Sequence, residues 1–328
     1  MSTININTIE GKVFPSKNGQ TILESALFAG LVFEHSCNNG QCGTCKTTLL
    51  KGTIKEFKPQ QALNKLNKSN QFLSCCCEAL TDVLIDAIDL SAMRGIEKKI
   101  LPARINKLEL LSKEIMQVKL RIPPTSNFVF LEGQFIDLIG LDSIKRSYSI
   151  ASISSDENIT LLIKKVEYGE LSNYWFNKAK LNDLLRIEGP KGTFFLRDRA
   201  KPLVFLATGT GVSPIISILD GLDSDPDFNQ IKNISLFWGN RVQQDFVWSP
   251  NFKKIHVDFY PVISKNDDDW SGEIGYVQDI ALRVLSDIKD LNVYACGASV
   301  MIDRAKSNFI RSGLNEKDFY SDKFVQSY

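Results

Sequence analysis

Three thiols stand within nine residues of CNNGQCGTCK: Cys37, Cys42 and Cys45, at intervals of five and three. A second run, QFLSCCCEAL, adds Cys75, Cys76 and Cys77, and Cys296 stands alone far along the chain. Thiolates hold soft metal centres, and an x4/x2 triplet with a distant fourth thiolate is the arrangement that carries a [2Fe–2S] cluster. Gly40 and Gly43 suit a backbone that curls closely around an inorganic core with its N–H groups turned inward. Zinc is the alternative, but its sites usually pair two short spacings, which this triplet suits poorly. On a strand, Cys75 and Cys77 would share one face and Cys76 the other, so periodicity leaves the fourth ligand open. A disulfide framework is not expected in a chain of 328 residues that starts without a charged-then-apolar leader. That start and the shortness of the apolar runs lead to the expectation of a soluble, cytoplasmic protein.

The elements that must position these thiols fall into three segments, expected at residues 1–90, 101–199 and 200–328, with 91–100 as a charged linker. The first has short strands, a helical stretch TILESALFAG, the cysteine loop and an alternating DVLIDAIDL. The second reads as six strands, RINKLELL, QVKLRIP, QFIDLIGL, RSYSIAS, ITLLIKKV and LLRIEGP, which predicts a closed antiparallel barrel. In the third, apolar strands such as PLVFLA and NVYA alternate with helical stretches, which predicts a doubly wound parallel sheet. There Gly209-Thr210-Gly211-Val212-Ser213-Pro214 follows a strand and opens a helix, a context in which close-approach glycines and helix N-terminal amides bind a pyrophosphate. With 39 Lys+Arg against 38 Asp+Glu, no broad field draws nucleic acid or a membrane surface to the chain. Partners must be recognised locally.

Several motifs in order carry a family resemblance. The thiol loop resembles the plant-type ferredoxins, in which the last ligand follows an apolar-Leu-x step and precedes an Asp-Val strand. Phe72-Leu73-Ser74-Cys75, with Asp82-Val83 beyond it, matches, and so implies Cys75 beside Cys37, Cys42 and Cys45. Arg146-Ser147-Tyr148-Ser149 resembles the RxYS signature of the ferredoxin–NADP reductase superfamily. Gly169-Glu170-Leu171-Ser172 resembles its GxxS phosphate element, and Gly189-Pro190-Lys191-Gly192-Thr193-Phe194 the GPxGxF segment that closes its barrel. The resemblance implies FAD, with Arg146 as a fork for its phosphate, Tyr148 as a plane for the isoalloxazine and the Ser149 hydroxyl near flavin N5. GTGVSP is similar to the superfamily's GTGxxP, and Cys296-Gly297 to its second hallmark, which places the thiol beside nicotinamide C4. Arg241, after the strand ISLFWG, lies where the adenosine ribose is expected; NADH is the expected donor and NADPH remains open.

Taken together, the order resembles the NADH-dependent iron–sulfur flavoprotein reductases over essentially the whole chain. It implies a β-grasp ferredoxin domain, a flavin barrel and a nicotinamide domain that step electrons down from a two-electron donor to a one-electron carrier. Two branches compete for the partner. One feeds aromatic or alkane oxygenases. The other serves a pyridoxamine-phosphate-dependent dehydrase in bacterial 3,6-dideoxysugar (O-antigen) synthesis, and LEGQFIDLIGLDSIKRSYSIAS and YWFNKAKLNDLLRIEGPKGTFFLRD resemble that branch. A reading from another class, a non-catalytic redox sensor or a zinc-stapled interaction module, is opposed by the joint presence of RSYS, GTGVSP and Cys296-Gly297. Absorbance of iron and flavin bleached by NADH separates the two.

Overall fold

Thr21 and Glu24 set the start of the first helix by satisfying each other's backbone. The Glu24 amide donates to the Thr21 hydroxyl at 3.2 Å, and the Thr21 amide donates to the Glu24 carboxylate at 2.9 Å, a capping box that satisfies amides left free by helix geometry. Helix α1 (Ile22–Phe28) then buries Ile22, Leu23, Ser25 and Ala26. The computed structural model describes residues 4–35, 38–40, 45–63, 70–140, 145–226, 233–265 and 268–324. Contacts divide the chain into two units, 1–95 and 96–328.

In the first unit, β1 (Ile4–Thr8) pairs antiparallel with β2 (Val13–Ser16) and parallel with β7 (Val83–Ile85), while β3 (Lys46–Lys51) joins β7 to β5 (Gln71–Leu73). A separate small ladder pairs β4 (Ile54–Glu56) with β6 (Cys77–Ala79). One helix packed on this mixed sheet is the expected β-grasp, and Ile6, Phe14, Ile22, Leu23, Leu73 and Ile85 belong to its core. The alternation in DVLIDAIDL does bury Val83, Ile85 and Ala87. Its ladder is shorter than the pattern, because regular pairing ends at Ile85.

The second unit holds both remaining layers. Strands β8 (Lys99–Leu110), β9 (Ile115–Arg121), β10 (Phe135–Ile139), β11 (Lys145–Ser149), β12 (Asn158–Lys164) and β13 (Leu184–Lys191) form one antiparallel sheet in the order β11-β10-β13-β8-β9-β12. Its two edges meet where Ile150 bridges Leu161 and the Ala151 amide donates to Thr160 O at 2.8 Å. That contact closes the sheet into the expected barrel, which leaves little free edge. Beyond it, β14 (Leu203–Thr208), β15 (Ile234–Asn240), β16 (Asp258–Ile263), β17 (Glu273–Ile274), β18 (Asn292–Ala298) and β19 (Phe319–Phe324) form a parallel sheet in the order β17-β16-β15-β14-β18-β19. Alternate residues of β14 enter two cores. Leu203, Phe205 and Ala207 join the core that holds Ile215, Ile218 and Leu219 of a helix at Ser213–Ser224; Val204 and Leu206 join the one that holds Ile280 and Ile302 of helices at Val277–Val284 and Ser299–Arg311. Helices on both faces explain why the strands read as unbroken apolar runs.

Candidate cofactor sites

The thiol run 75–77 does not lie on one strand. Cys76 donates its amide to Leu73 O at 2.8 Å, so Leu73 to Cys76 is a tight turn between β5 and β6. Cys75 and Cys76 consequently emerge side by side, with sulfurs 3.5 Å apart, whereas Cys77 opens β6 opposite Glu56. The alternation expected of a strand does not apply here, and the turn is the physical reason. Cys45, just before β3, brings its sulfur within 3.2 Å of Cys75 Sγ. Two thiolates on one tetrahedral metal with bonds of ~2.3 Å stand ~3.8 Å apart, so this pair is near chelating distance. Cys37 and Cys42 lie outside the described residues.

The surroundings of the pair fit a cluster. Burial pushes Cys45 up to about 11 and also raises Cys75, while the nearby backbone of Cys75 and of Gly40 opposes the rise at Cys45 and Cys75 respectively. Buried thiols supplied with donors become thiolates when a cation arrives to bind them. Gly40 sits at φ +83°, and a Cβ there would fall 2.8 Å from Cys76 Sγ. Only glycine gives the loop that approach.

In the barrel, alternation along β11 puts Arg146 and Tyr148 on one face and Ser147 on the other. Tyr148 packs against the barrel core, and its hydroxyl accepts from Trp175 Nε1 at 3.3 Å. Burial raises the Tyr148 pKa. Ser147 donates to Asp137 Oδ1 at 2.6 Å, and Asp137 Oδ2 accepts from Lys191 at 2.6 Å, so the Ser147 hydroxyl is engaged in a surface network. Ser149 is buried opposite Phe135. Arg146 is half-buried and donates to Lys145 O at 2.9 Å. Gly169 caps the short helix α2 (Glu170–Asn173), Leu171 enters the barrel core, and Ser172 Oγ accepts from the Val166 amide at 2.8 Å. The motif thereby fixes the turn that precedes Trp175, whose own turn is a wide one in which the Ala179 amide donates to Tyr174 O.

At the parallel sheet, Gly209–Val212 form the tight turn from β14 into α3 (Ser213–Ser224), with Pro214 in its first turn. Strands β14 and β18 are neighbours at the point where strand order reverses, the place where open parallel sheets bind ligands. Their ends are stitched backbone to backbone. A Cβ on Gly211 would fall 2.7 Å from the Cys296 carbonyl carbon, one on Gly297 (φ +130°) would fall 2.8 Å from Thr208 O, and the Ala298 amide donates to Thr208 Oγ1 at 3.0 Å. Trp238 Nε1 donates to Gly209 O at 2.8 Å. Thr210 is half-buried within this turn. Cys296 is fully buried, and burial with Asp322 across on β19 holds its thiol well above the usual range. Such a thiol is a neutral, shape-filling neighbour and no nucleophile. Arg241 is exposed after β15, while Asp245 is buried and accepts from Ser112 of the barrel at 3.2 Å.

Comparison with known proteins follows the same three parts. Residues 6–80 match the family model of the 2Fe-2S iron-sulfur cluster binding domain, 102–196 the oxidoreductase FAD-binding domain and 205–307 the oxidoreductase NAD-binding domain. The CDP-6-deoxy-L-threo-D-glycero-4-hexulose-3-dehydrase reductase of Yersinia pestis is 37% identical over 97% of both chains. The chain belongs to the iron–sulfur flavoprotein reductases. Protein RfbI of Salmonella typhimurium is 36% identical over 96% of each chain, and reductase component 2 of terephthalate 1,2-dioxygenase from Comamonas sp. is 30% identical over 95% of this chain and 94% of its own. Among solved structures, the ferredoxin reductase in carbazole 1,9a-dioxygenase has a TM-score of 0.62 at 24% identity, covering 99% of both chains. An Amycolatopsis cytochrome P450 reductase scores 0.67 at 24% identity over the same share.

This reductase therefore takes a [2Fe–2S] cluster, FAD and a nicotinamide nucleotide. Motif types led to Tyr148, Gly211 and Cys296, whereas Trp175, Thr208, Trp238 and the Asp137–Lys191 pair escaped sequence reasoning. Trp175 lies 27 residues from Tyr148, and no spacing rule connects them. Among the described residues of the reductase, no helix is long and apolar enough to cross a membrane.

Proposed function

We propose that this reductase delivers electrons from NADH, one at a time, to a pyridoxamine-phosphate-dependent dehydrase acting on a CDP-6-deoxyhexulose in 3,6-dideoxysugar synthesis, the role of a CDP-6-deoxy-Δ3,4-glucoseen reductase. The observation that carries this reading is full-length likeness to two proteins of 37% and 36% identity, the first of them named as a CDP-6-deoxy-L-threo-D-glycero-4-hexulose-3-dehydrase reductase. When bound, the flavin accepts a two-electron equivalent and the cluster passes single electrons outward. The chain's own residues divide the work. Cys37, Cys42, Cys45 and Cys75 hold the metal; Arg146, Gly169 and Ser172 receive the flavin's phosphates; Tyr148 and Ser149 orient its ring; Gly209, Thr210, Gly211 and Pro214 shape the pyrophosphate turn. Arg241 meets the nucleotide's ribose end, and Cys296-Gly297 forms the floor against which the nicotinamide is positioned.

A second reading, reductase component of an oxygenase, is favoured by the 30% identity to the terephthalate dioxygenase component. The acceptor decides between them. Mixing the NADH-reduced protein with the dehydrase and its CDP-sugar is expected to give a C3-deoxygenated product. Absence of product alongside rapid reduction of an oxygenase component would move the assignment to the second reading.

A further inference from the structure

Of the three adjacent thiols, Cys76 has no role in a four-cysteine site, yet it is placed differently from a core filler. It shares a tight turn with Cys75, and its sulfur stands 3.5 Å from Cys75 Sγ. On its other side, it lies 3.6 Å from Pro59 O and presses against Gly40, in the loop between the first two expected ligands. A change of χ1 rotamer moves a cysteine sulfur by roughly 3 Å, about the gap between the two thiols. Cys77 lacks these relations, since it is committed to the β4–β6 ladder opposite Glu56. Four cysteines are already expected to complete the cluster, so Cys76, next to Cys75 in the turn, is placed to replace it rather than to join it.

We infer that Cys76 is a reserve ligand: where the Cys75 thiolate is missing or blocked, the Cys76 sulfur takes its coordination position and the cluster stays in the chain. The exchange is a substitution without redox change. The Cys76 thiol gives its proton to solvent and one iron–sulfur bond forms at the coordination position that the Cys75 sulfur has left or cannot fill. The inference rests on Cys75 as the resident fourth ligand. It explains why a turn in an otherwise well-packed core carries two thiols abreast.

The test is made on the full-length protein, purified with its cofactors, by measuring iron, acid-labile sulfide, visible circular dichroism and the EPR spectrum after dithionite reduction. Cys75→Ala is expected to keep roughly half or more of the wild-type iron and sulfide, with shifted dichroism and g values, because the position is filled from a displaced backbone site. Cys75→Ala/Cys76→Ala is expected to fall to about a tenth or less, and Cys75→Ala/Cys77→Ala to match Cys75→Ala. Flavin content shows that the rest of the chain is folded, and Cys75→Ser is read by the same criteria if the alanine variant is insoluble. A Cys75 variant that carries flavin but no cluster overturns the reserve role while leaving the four-ligand assignment standing. An unaltered spectrum in Cys75→Ala, together with a cluster-free Cys76→Ala, overturns both, since Cys76 would then be the resident ligand. Loss of the cluster only in the variant that also lacks Cys77 overturns it in favour of Cys77.

Discussion

A fully buried thiol whose ionisation the fold suppresses has one useful property at Cys296, its size. Gly211 and Gly297 bring backbone against backbone around it, and in the proposed role its side chain sets the shape of the layer on which the nicotinamide rests. Cys296→Ala is expected to leave iron and flavin contents unchanged and to slow reduction of the flavin by NADH about tenfold, as small misplacements of reacting groups do; stopped-flow bleaching measures it, and an unchanged rate would return Cys296 to plain packing. Trp175 bears on Tyr148, the residue proposed to face the flavin ring. Its indole N–H is a hydrogen bond that fixes the Tyr148 hydroxyl, and a net loss of about 1 kcal/mol on removing such a bond corresponds to a roughly fivefold weaker grip on whatever Tyr148 orients. Trp175→Phe keeps an aromatic filler, so flavin affinity, followed by fluorescence on dilution, is expected to fall by about that factor while the barrel stays folded. Affinity equal to wild type would mean that Tyr148 needs no such tether. Site residues whose chemistry is declared by type and by a neighbouring glycine could be proposed from the chain. Trp175 could not, because its role exists only through a contact between a turn and a distant strand.

At the scale of elements, periodicity succeeded where one face or both faces are buried in regular fashion. The six barrel strands and α3 lie where alternation and apolar runs put them, and the barrel's closure at Ile150 and Leu161 follows from having two edges to satisfy. It failed at Ser74–Cys76, where a tight turn interrupts two short strands and uniform burial hides the change of direction. A three-residue strand offers too few alternations to reveal its own end. Helix α3 also carries a liability that the sequence does not announce. Burial, and then the charges of Asp156 and Asp223, raise the Asp220 carboxyl to about 6. A carboxyl with a folded pKa above its unfolded value of about 4 binds its proton more tightly when folded, so its contribution is present below about pH 4 and lost as pH rises through about 6. Two pKa units correspond to roughly 3 kcal/mol, but the group is partly exposed and solvent screening reduces this to about 1 kcal/mol. Asp220→Asn is therefore expected to stabilise the protein by about 1 kcal/mol at pH 8, with the gain shrinking toward pH 5. Urea midpoints at the two pH values decide it, and a gain equal at both would exclude proton linkage at this carboxyl.

For the molecule as a whole, the open question is how the metal-bearing unit meets its electron acceptor. Residues 1–90 hold eight Lys+Arg (Lys12, Lys17, Lys46, Lys51, Lys55, Lys58, Lys65, Lys68) and eight Asp+Glu (Glu10, Glu24, Glu34, Glu56, Glu78, Asp82, Asp86, Asp89). Photosynthetic-type ferredoxins, which the unit resembles, are strongly acidic and dock by charge. Here opposite charges also lie side by side, Lys58 with Glu24 and Lys55 with Glu78 at 3.3 Å and Lys12 with Asp89 at 3.8 Å, so several acidic groups already have a local counter-charge. Four thiolates around an oxidised cluster make one spot negative, but one spot cannot produce the long-range steering of a broad acidic face. What remains is short-range complementarity. Asn38 and Asn39 are exposed immediately before Gly40 and put neutral side chains beside the expected thiol site; Gln41, expected to share that surface, lies outside the described residues. Electron transfer to the purified partner is accordingly expected to depend weakly on ionic strength between about 20 and 300 mM salt, a range over which the Debye length shrinks severalfold. Substituting Asn38 and Asn39 together by Asp is expected to slow transfer more than that whole change of salt does, because it places unpaired charge inside a contact made at short range. A tenfold fall in rate across the salt series, with the double substitution nearly silent, would show instead that charge steering governs docking and that the neutral surface beside Gly40 has no part in it.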